Sequence, residues 1–261
     1  MYTLHFVEDG KGGCYVERIT GKKSRRFPSP GVHYNRSPGF CALATLFHLS
    51  TYLDIRGVFI DLTSLDPEDG QVFTMQPKTY SIARDKFFIR TAASSIVSQF
   101  LPFLEAGCPL LVFSLYRHEE IFLETPFFDS ALVHSSRQIQ IEVMNGVMDN
   151  QLVLFRACDI IMPAPNVTAK AINWMILEWF ERKREINCIH LKQIHNVTKM
   201  DILGNVEVVP WQKFLTIIQN GVWWSGWSSE NCAGLYNGIN FLIVIVDVDS
   251  CQLIDPHYRD E

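Results

Sequence analysis

The sequence lacks several features by which common classes of protein are recognised. It has no run of about eighteen apolar residues, so no membrane-spanning helix is predicted. Its first residues do not show a basic start followed by an apolar block, so no secretory signal is predicted either. A phosphate-binding glycine loop and a dinucleotide fingerprint are also missing, and neither motif therefore indicates a nucleotide cofactor.

Cysteine is present but is not arranged for disulfides or for zinc. The seven cysteines are widely scattered, and no C-x-x-C pair occurs. Such a pattern is typical of free thiols in a reducing compartment, so we expect a cytoplasmic protein without a metal or another cofactor. Cys188, His190 and His195 match no zinc spacing, and we expect an alternating, half-buried strand there.

Charged residues make up only 20% of the 261 residues, and the formal net charge is −5. A net acidic chain argues against nucleic acid as the main partner, because phosphate binding needs a basic face. The hydrophobic content of 48% is that of a globular protein with a sizeable core. The sequence shows no internal repeat, low-complexity tract or long linker, and we therefore predict a single domain over 1–261.

Apolar periodicity and turn residues predict a mixture of helices and strands, which makes the fold class α+β (mixed α/β). An N-terminal β-hairpin is predicted within 1–20, and a second hairpin around Asn145-Gly146. The other predicted strands are 58–62, 109–116, 239–248 and 251–254. The predicted helices are 41–53, 92–107, 169–184 and 210–221.

Cys41 is a candidate nucleophile because it follows the turn residues of "SPGF" and opens an apolar, helix-periodic segment. A helix N-terminus stabilises a thiolate through its partial positive charge. Free cysteine is also among the most buried residue types, so a place in the core is the alternative.

Asp255 and His257 form a candidate acid–base pair near the end of the chain. They are two residues apart, and in an extended backbone they point to the same side. Pro256 between them favours that extended form for Asp255. An imidazole oriented by a carboxylate could accept the proton of a thiol, whereas an Asp-Pro turn with an exposed histidine is the alternative.

Tyr34 is a candidate donor to the oxyanion that acyl transfer generates. It lies seven residues before Cys41 across a predicted turn. If the loop folds back, its hydroxyl reaches the same site.

Two segments, "VHYNRSPGFCALATL" and "FLIVIVDVDSCQLIDPHY", resemble the papain-like cysteine peptidases of ubiquitin-like modifiers. The closest resemblance is to proteases specific for the ubiquitin-fold modifier, and a more distant one is to the autophagins. The resemblance implies that Cys41 is the nucleophile, His257 the general base, Asp255 its orienting acid and Tyr34 the oxyanion donor. It also implies a nucleophile-bearing helix packed on a β-sheet that bears the Asp-Pro-His.

The same resemblance implies a thiol protease (a hydrolase) that cleaves after the C-terminal glycine of a ubiquitin-like modifier or its conjugates. Trp223, Trp224 and Trp227, with Asn231, are then expected to bind the glycine-containing tail of this partner. Packing in the core or at an edge is the alternative for the tryptophans. Asn231 or Asn237 would be the oxyanion donor in place of Tyr34.

Phe40 stands where these proteases carry a glycine before the cysteine. This departure leads to two further hypotheses. One is a catalytically inactive interaction protein, related to these proteases or not. The other is a viral or parasite papain-like protease with another substrate.

Overall fold

The structure is a computed structural model of the chain, and it describes residues 3–8, 14–20, 23–25, 36–62, 70–75, 81–91, 94–114, 122–204, 206–218 and 229–257. Contacts divide the chain into two compact units, unit 1 (1–105 and 115–119) and unit 2 (106–114 and 120–261). Among the described helices, none combines the length and the apolar character that crossing a bilayer requires. The single domain over 1–261 stays a prediction.

Unit 1 contains an antiparallel three-stranded sheet, a parallel strand pair and helices. The sheet is formed by β1 (Thr3–Glu8), β2 (Cys14–Thr20) and β3 (Lys23–Arg25). The parallel pair is β4 (Gly57–Leu62) with β5 (Lys86–Thr91). The helices are α1 (Pro38–Ser50), α2 (Gln71–Met75) and α3 (Ser94–Phe100), and α3 continues as a 3₁₀ turn (Leu101–Phe103).

Unit 2 contains a larger sheet and its connecting helices. The strands of unit 2 are β6 (Leu110–Ser114), β7 (Phe122–Leu123), β8 (Gln138–Ile141), β9 (Met144–Asn145), β10 (Asp159–Pro163), β11 (Cys188–Lys192), β12 (Cys232–Tyr236), β13 (Phe241–Asp247) and β14 (Ser250–Ile254). Of these, β7 and β9 form a separate two-stranded sheet. Its helices are a 3₁₀ helix (Thr125–Asp129), α4 (Ala131–Ser135), α5 (Asp149–Leu152), α6 (Ala169–Phe180), α7 (Lys199–Leu203) and α8 (Trp211–Ile217).

The sheet of unit 2 has the strand order β12-β13-β14-β11-β10-β8-β6. Strands β6, β8, β10 and β11 are parallel and follow one another in chain order, whereas β14, β13 and β12 are antiparallel. Connections between parallel strands are almost always right-handed. Because each of these strands is added on the same side of the previous one, the helices that connect them are expected on one face of the sheet. The mixed α/β class predicted from the sequence is confirmed.

Alternation along the strands of unit 2 places apolar side chains on the helical side of the sheet. On β8, β10, β11 and β14, every second side chain is buried. Helix α6 buries a stripe of its own, which includes Ile172, Met175 and Trp179. We infer that the core of unit 2 lies between this face and the connecting helices. The buried strand residues on this face are Ile139, Ile141, Ile160, Met162, Ile189, Leu191, Cys251 and Leu253.

The hairpin predicted around Asn145-Gly146 is wrong. β9 pairs in parallel with β7, and α5 follows where a second hairpin strand was expected. Asn145 is fully buried. Its amide Nδ2 donates to the carbonyl oxygen of Pro163 at 2.8 Å, and its Oδ1 accepts from the Val147 N–H at 3.2 Å. The asparagine therefore satisfies backbone groups within the core, as a buried polar side chain must.

The segments that follow β10 and β11 share a short sequence. β10 and β11 are each followed by Asn-Val-Thr, at 166–168 and 196–198. The threonine hydroxyls of Thr168 and Thr198 accept from backbone N–H groups of the first turns of α6 and α7. Threonine is a preferred N-cap residue, so the recurring triplet marks two successive strand–turn–helix units.

Candidate functional site

Cys41 lies on the first turn of α1. The helix begins after Ser37, whose Oγ accepts from the Phe40 N–H at 3.1 Å, while its carbonyl accepts from the Cys41 N–H at 3.1 Å. Pro38 occupies the first helical position, where its missing N–H costs nothing. The Cys41 side chain is 6% exposed. The helix that the sequence predicts here is confirmed, and it begins three residues earlier than the predicted 41–53.

Asp255 and His257 close a turn at the end of β14, which is the Asp-Pro turn that the sequence offered as the alternative to an extended acid–base pair. The Asp255 Oδ1 accepts from the backbone N–H of His257 at 2.7 Å, an arrangement typical of aspartate in turns. The Asp255 N–H donates to the Asn187 carbonyl at 2.9 Å and ties this turn to the start of β11. The His257 side chain is exposed, and its ring lies 6.3 Å from that of Phe241.

The other predicted site residues are placed as follows. Tyr34, Trp223, Trp224 and Trp227 lie outside the described residues. Asn231 is exposed, and its carbonyl accepts from the Val246 N–H at 2.9 Å.

Asn237, the other candidate donor, has its side chain engaged in the turn between β12 and β13. The Nδ2 donates to the Trp179 carbonyl at 3.1 Å, and the Oδ1 accepts from the N–H groups of Ile239 and Asn240. Asp255, His257 and Asn231 belong to unit 2, whereas Cys41 belongs to unit 1. The catalytic roles therefore stay predictions.

Unit 2 also presents a half-exposed sheet face, on the side opposite to the buried alternate residues of β8, β10, β11 and β14. We call it the open face. It contains the alternate residues of β8, β10, β11 and β14, which are of intermediate exposure except for the buried Pro163 at the end of β10. Its members are Gln138, Gln140, Asp159, Ile161, Cys188, His190, Lys192, Ser250, Gln252 and Ile254.

Strand register arranges these side chains in rows across the sheet. One row runs Gln138–Asp159–Cys188–Ile254, and the next runs Gln140–Ile161–His190–Gln252. Neighbouring side chains in such a row are about 5 Å apart and can contact one ligand together. The rows therefore offer amides, an imidazole and two isoleucines to the same binding partner.

The open face has a boundary on each side. Towards β6, Leu111 pairs with Gln140 but is only 5% exposed. On the other side, α8 covers β12 and β13, because Phe214 and Ile218 form a buried cluster with Ile243 and Ile245. Ile254 packs at the edge of this cluster. The open face is thus four strands wide and lies beside α8.

His190 is the central titratable group of the open face. Burial in the sheet, and to a smaller extent the charge of Lys192, lower the pKa of the imidazole from its ordinary value of 6.5, while Glu142 opposes the shift. Lys192 Nζ lies 3.7 Å from Glu142 Oε1. His190 is therefore neutral at neutral pH and can both donate and accept a hydrogen bond.

The alternating, half-buried strand predicted for Cys188, His190 and His195 is confirmed as β11 for the first two residues, whereas His195 lies beyond its end. Within the described ranges, no group of three or more histidine, cysteine, aspartate or glutamate side chains is arranged to hold a metal ion. His195 Nδ1 instead lies 3.6 Å from Asp249 Oδ1 near the protein surface.

Comparison with models of known protein families, with curated proteins and with solved structures finds no match to this chain. The open face was not among the sequence predictions, although the sequence contains a signal for it. In "QIQI" and "CIHLK" a polar residue alternates with isoleucine or leucine, which is the pattern of a strand with one buried face.

Proposed function

We propose that the chain is a protein-binding module that receives a partner on the open face. The observation that supports this is the half-exposure of three parallel strands, β8, β10 and β11, on one side. Parallel sheets are almost always covered on both faces. In unit 2, one face of the sheet is covered by the core of the unit itself. A bound partner would supply the layer that covers the open face.

The composition of the open face fits protein recognition. The amides of Gln140 and Gln252 and the neutral imidazole of His190 offer hydrogen-bond donors and acceptors, and Ile161 and Ile254 offer apolar area. Interfaces between proteins combine apolar contact with hydrogen bonds in this way. No covalent chemistry is required of these groups.

A photo-crosslinking experiment tests the binding function. The full chain would carry benzoylphenylalanine at Gln252 on the open face or, as a control, at Glu181 after the end of α6, and would be irradiated in extract of the organism that makes it. We expect a discrete crosslinked product from position 252 that disappears with Ile161→Asp. The absence of a product at 252, or the same product at both positions, would contradict the proposal.

We also propose, as a second candidate, the thiol peptidase implied by the sequence resemblance. What favours it is the place of Cys41 on the first turn of a helix capped by Ser37, the position that the resemblance implies for the nucleophile. The proposal requires the Cys41 thiol to come within hydrogen-bond reach of the His257 imidazole. Ubiquitin-like modifiers and their conjugates would be the substrates, in a papain-like architecture.

Activity-based labelling tests the proposed thiol peptidase function. Ubiquitin-like proteins that carry a C-terminal electrophile should form an adduct with the parent chain, and Cys41→Ala should abolish labelling completely because the nucleophile is gone. Cys108→Ala is the matched control, since Cys108 is also buried in the described structure. Labelling that survives Cys41→Ala, or that is lost equally with Cys108→Ala, would exclude Cys41 as the nucleophile.

A further inference from the structure

Charge is unevenly divided between the two units. Unit 2 contains 17 of the 28 acidic residues and 10 of the 23 basic residues, a difference of −7. Among the described residues on the strands of the open face and their paired neighbours, the carboxylates of Glu142, Asp159 and Asp247 outnumber the ammonium of Lys192. Electrostatic complementarity steers partners of opposite charge to such a surface. A basic partner is therefore favoured over an acidic one.

The dimensions of the open face indicate the shape of the partner. Adjacent strands are about 4.8 Å apart, so the open face spans about 14 Å from β8 to β14. An α-helix with its side chains is about 10–12 Å in diameter. One helix already packs on this side of the sheet, since α8 lies over β12 and β13. A second helix beside α8 would continue that layer and cover Ile161 and Ile254.

We propose that the open face binds a basic helical segment of a partner protein, laid beside α8. This inference rests on the proposed binding function and adds the chemistry and shape of the occupant. The lysine or arginine side chains of the segment would lie towards Asp159 and Asp247, and its apolar side chains would contact Ile161, Ile254 and α8. Hydrogen bonds from Gln140, His190 and Gln252 would fix its position.

The test uses a defined probe, a fluorescein-labelled alanine-based helical peptide with leucine and lysine on one face. Fluorescence anisotropy with the full chain should show saturable binding. A peptide with glutamate in place of lysine and a peptide of similar composition with a central proline should bind at least about tenfold more weakly. Such losses follow from charge repulsion in the first and a broken helix in the second.

Variants of the chain distinguish a charge effect at the open face from an effect of the net charge of the whole chain. Gln252→Lys should weaken binding of the lysine peptide about tenfold, and Gln252→Glu should tighten it. Asn150→Lys and Asn150→Glu make the same changes of charge at an exposed residue of α5, a helix that packs against α6, and should leave affinity within about twofold. Equal effects at both positions, no saturable binding, or equal binding of lysine and glutamate peptides would overturn the proposal.

These outcomes are distinguishable from failure of the binding function itself. A crosslinked product from position 252 together with no preference for the lysine helix would retain the open face as a binding site and reject the basic helix as its occupant. The absence of a product at 252 would remove both.

Discussion

Replacing Arg184 with methionine should lower the free energy of unfolding by about 3–5 kcal/mol. The guanidinium side chain is only 3% exposed, and burial lowers its pKa although the Glu178 carboxylate opposes the shift. Its Nε donates to Glu178 Oε2 at 2.8 Å, and its two Nη groups donate to the carbonyls of Phe155 and Val153 at 2.6 and 2.8 Å. Methionine fills a similar volume but leaves a half-buried carboxylate and two carbonyls without these donors.

Arg84→Met is the matched control for this change. Arg84 also forms two ion pairs, with Asp54 and Asp85 at 3.3 Å, but its side chain is 42% exposed. Exposed pairs contribute little to stability because water solvates the charges that remain. Urea unfolding followed by circular dichroism compares the two variants. A loss for Arg184→Met as small as that for Arg84→Met would contradict the structural role of the buried guanidinium.

Segments with strong local signals were predictable from the sequence. The N-terminal hairpin predicted within 1–20 corresponds to the antiparallel pair β1 and β2, and the apolar runs 239–248 and 251–254 correspond to β13 and β14. Helix ends were less accurate. The helix predicted over 92–107 stops at Phe100 and continues as a 3₁₀ turn, because Pro102 cannot donate the next helical hydrogen bond.

Tertiary context explains the failures. Asn145-Gly146 has the composition of a hairpin turn, but the Asn145 side chain is recruited into the core by the Pro163 carbonyl, which belongs to a strand eighteen residues later. β10 and β12 were not predicted at all. Their sequences "DIIMP" and "CAGLY" are short, and they become strands through pairing with β11 and β13.

The candidate site was predictable only in part. Local chemistry predicted a helix that opens at Cys41, whereas the helix begins three residues earlier, after Ser37. At Asp255 the alternative, an Asp-Pro turn with an exposed histidine, is the arrangement that forms. The open face depends on which strands are neighbours. His190 and Gln252 are far apart in the sequence and come together only through antiparallel pairing of β11 with β14. The residue pairing between β11 and β14 cannot be predicted from the sequence pattern of either segment alone.

Gly234→Ala should be the second strongly destabilising substitution, by about 3 kcal/mol. A Cβ atom at this position of β12 would overlap the ring of Phe214 in α8. That ring is fully buried in the cluster that holds α8 on the sheet, so it can move aside only by displacing its neighbours. Overpacking of a closed core costs about 1–3 kcal/mol or more. Gly57→Ala is the control, since a Cβ there would meet Lys86 only at an ordinary 3.6 Å.

A double-mutant cycle isolates the Gly234–Phe214 contact. Phe214→Ala alone should cost about 3–5 kcal/mol through the cavity that it leaves. Adding Gly234→Ala to that variant should cost little, because the new methyl group enters the space of the missing ring. The coupling energy should therefore be at least about 2 kcal/mol in the favourable direction. Additive losses in urea unfolding would mean that the strain of Gly234→Ala arises elsewhere in β12, and the docking of α8 against this glycine would have to be rejected.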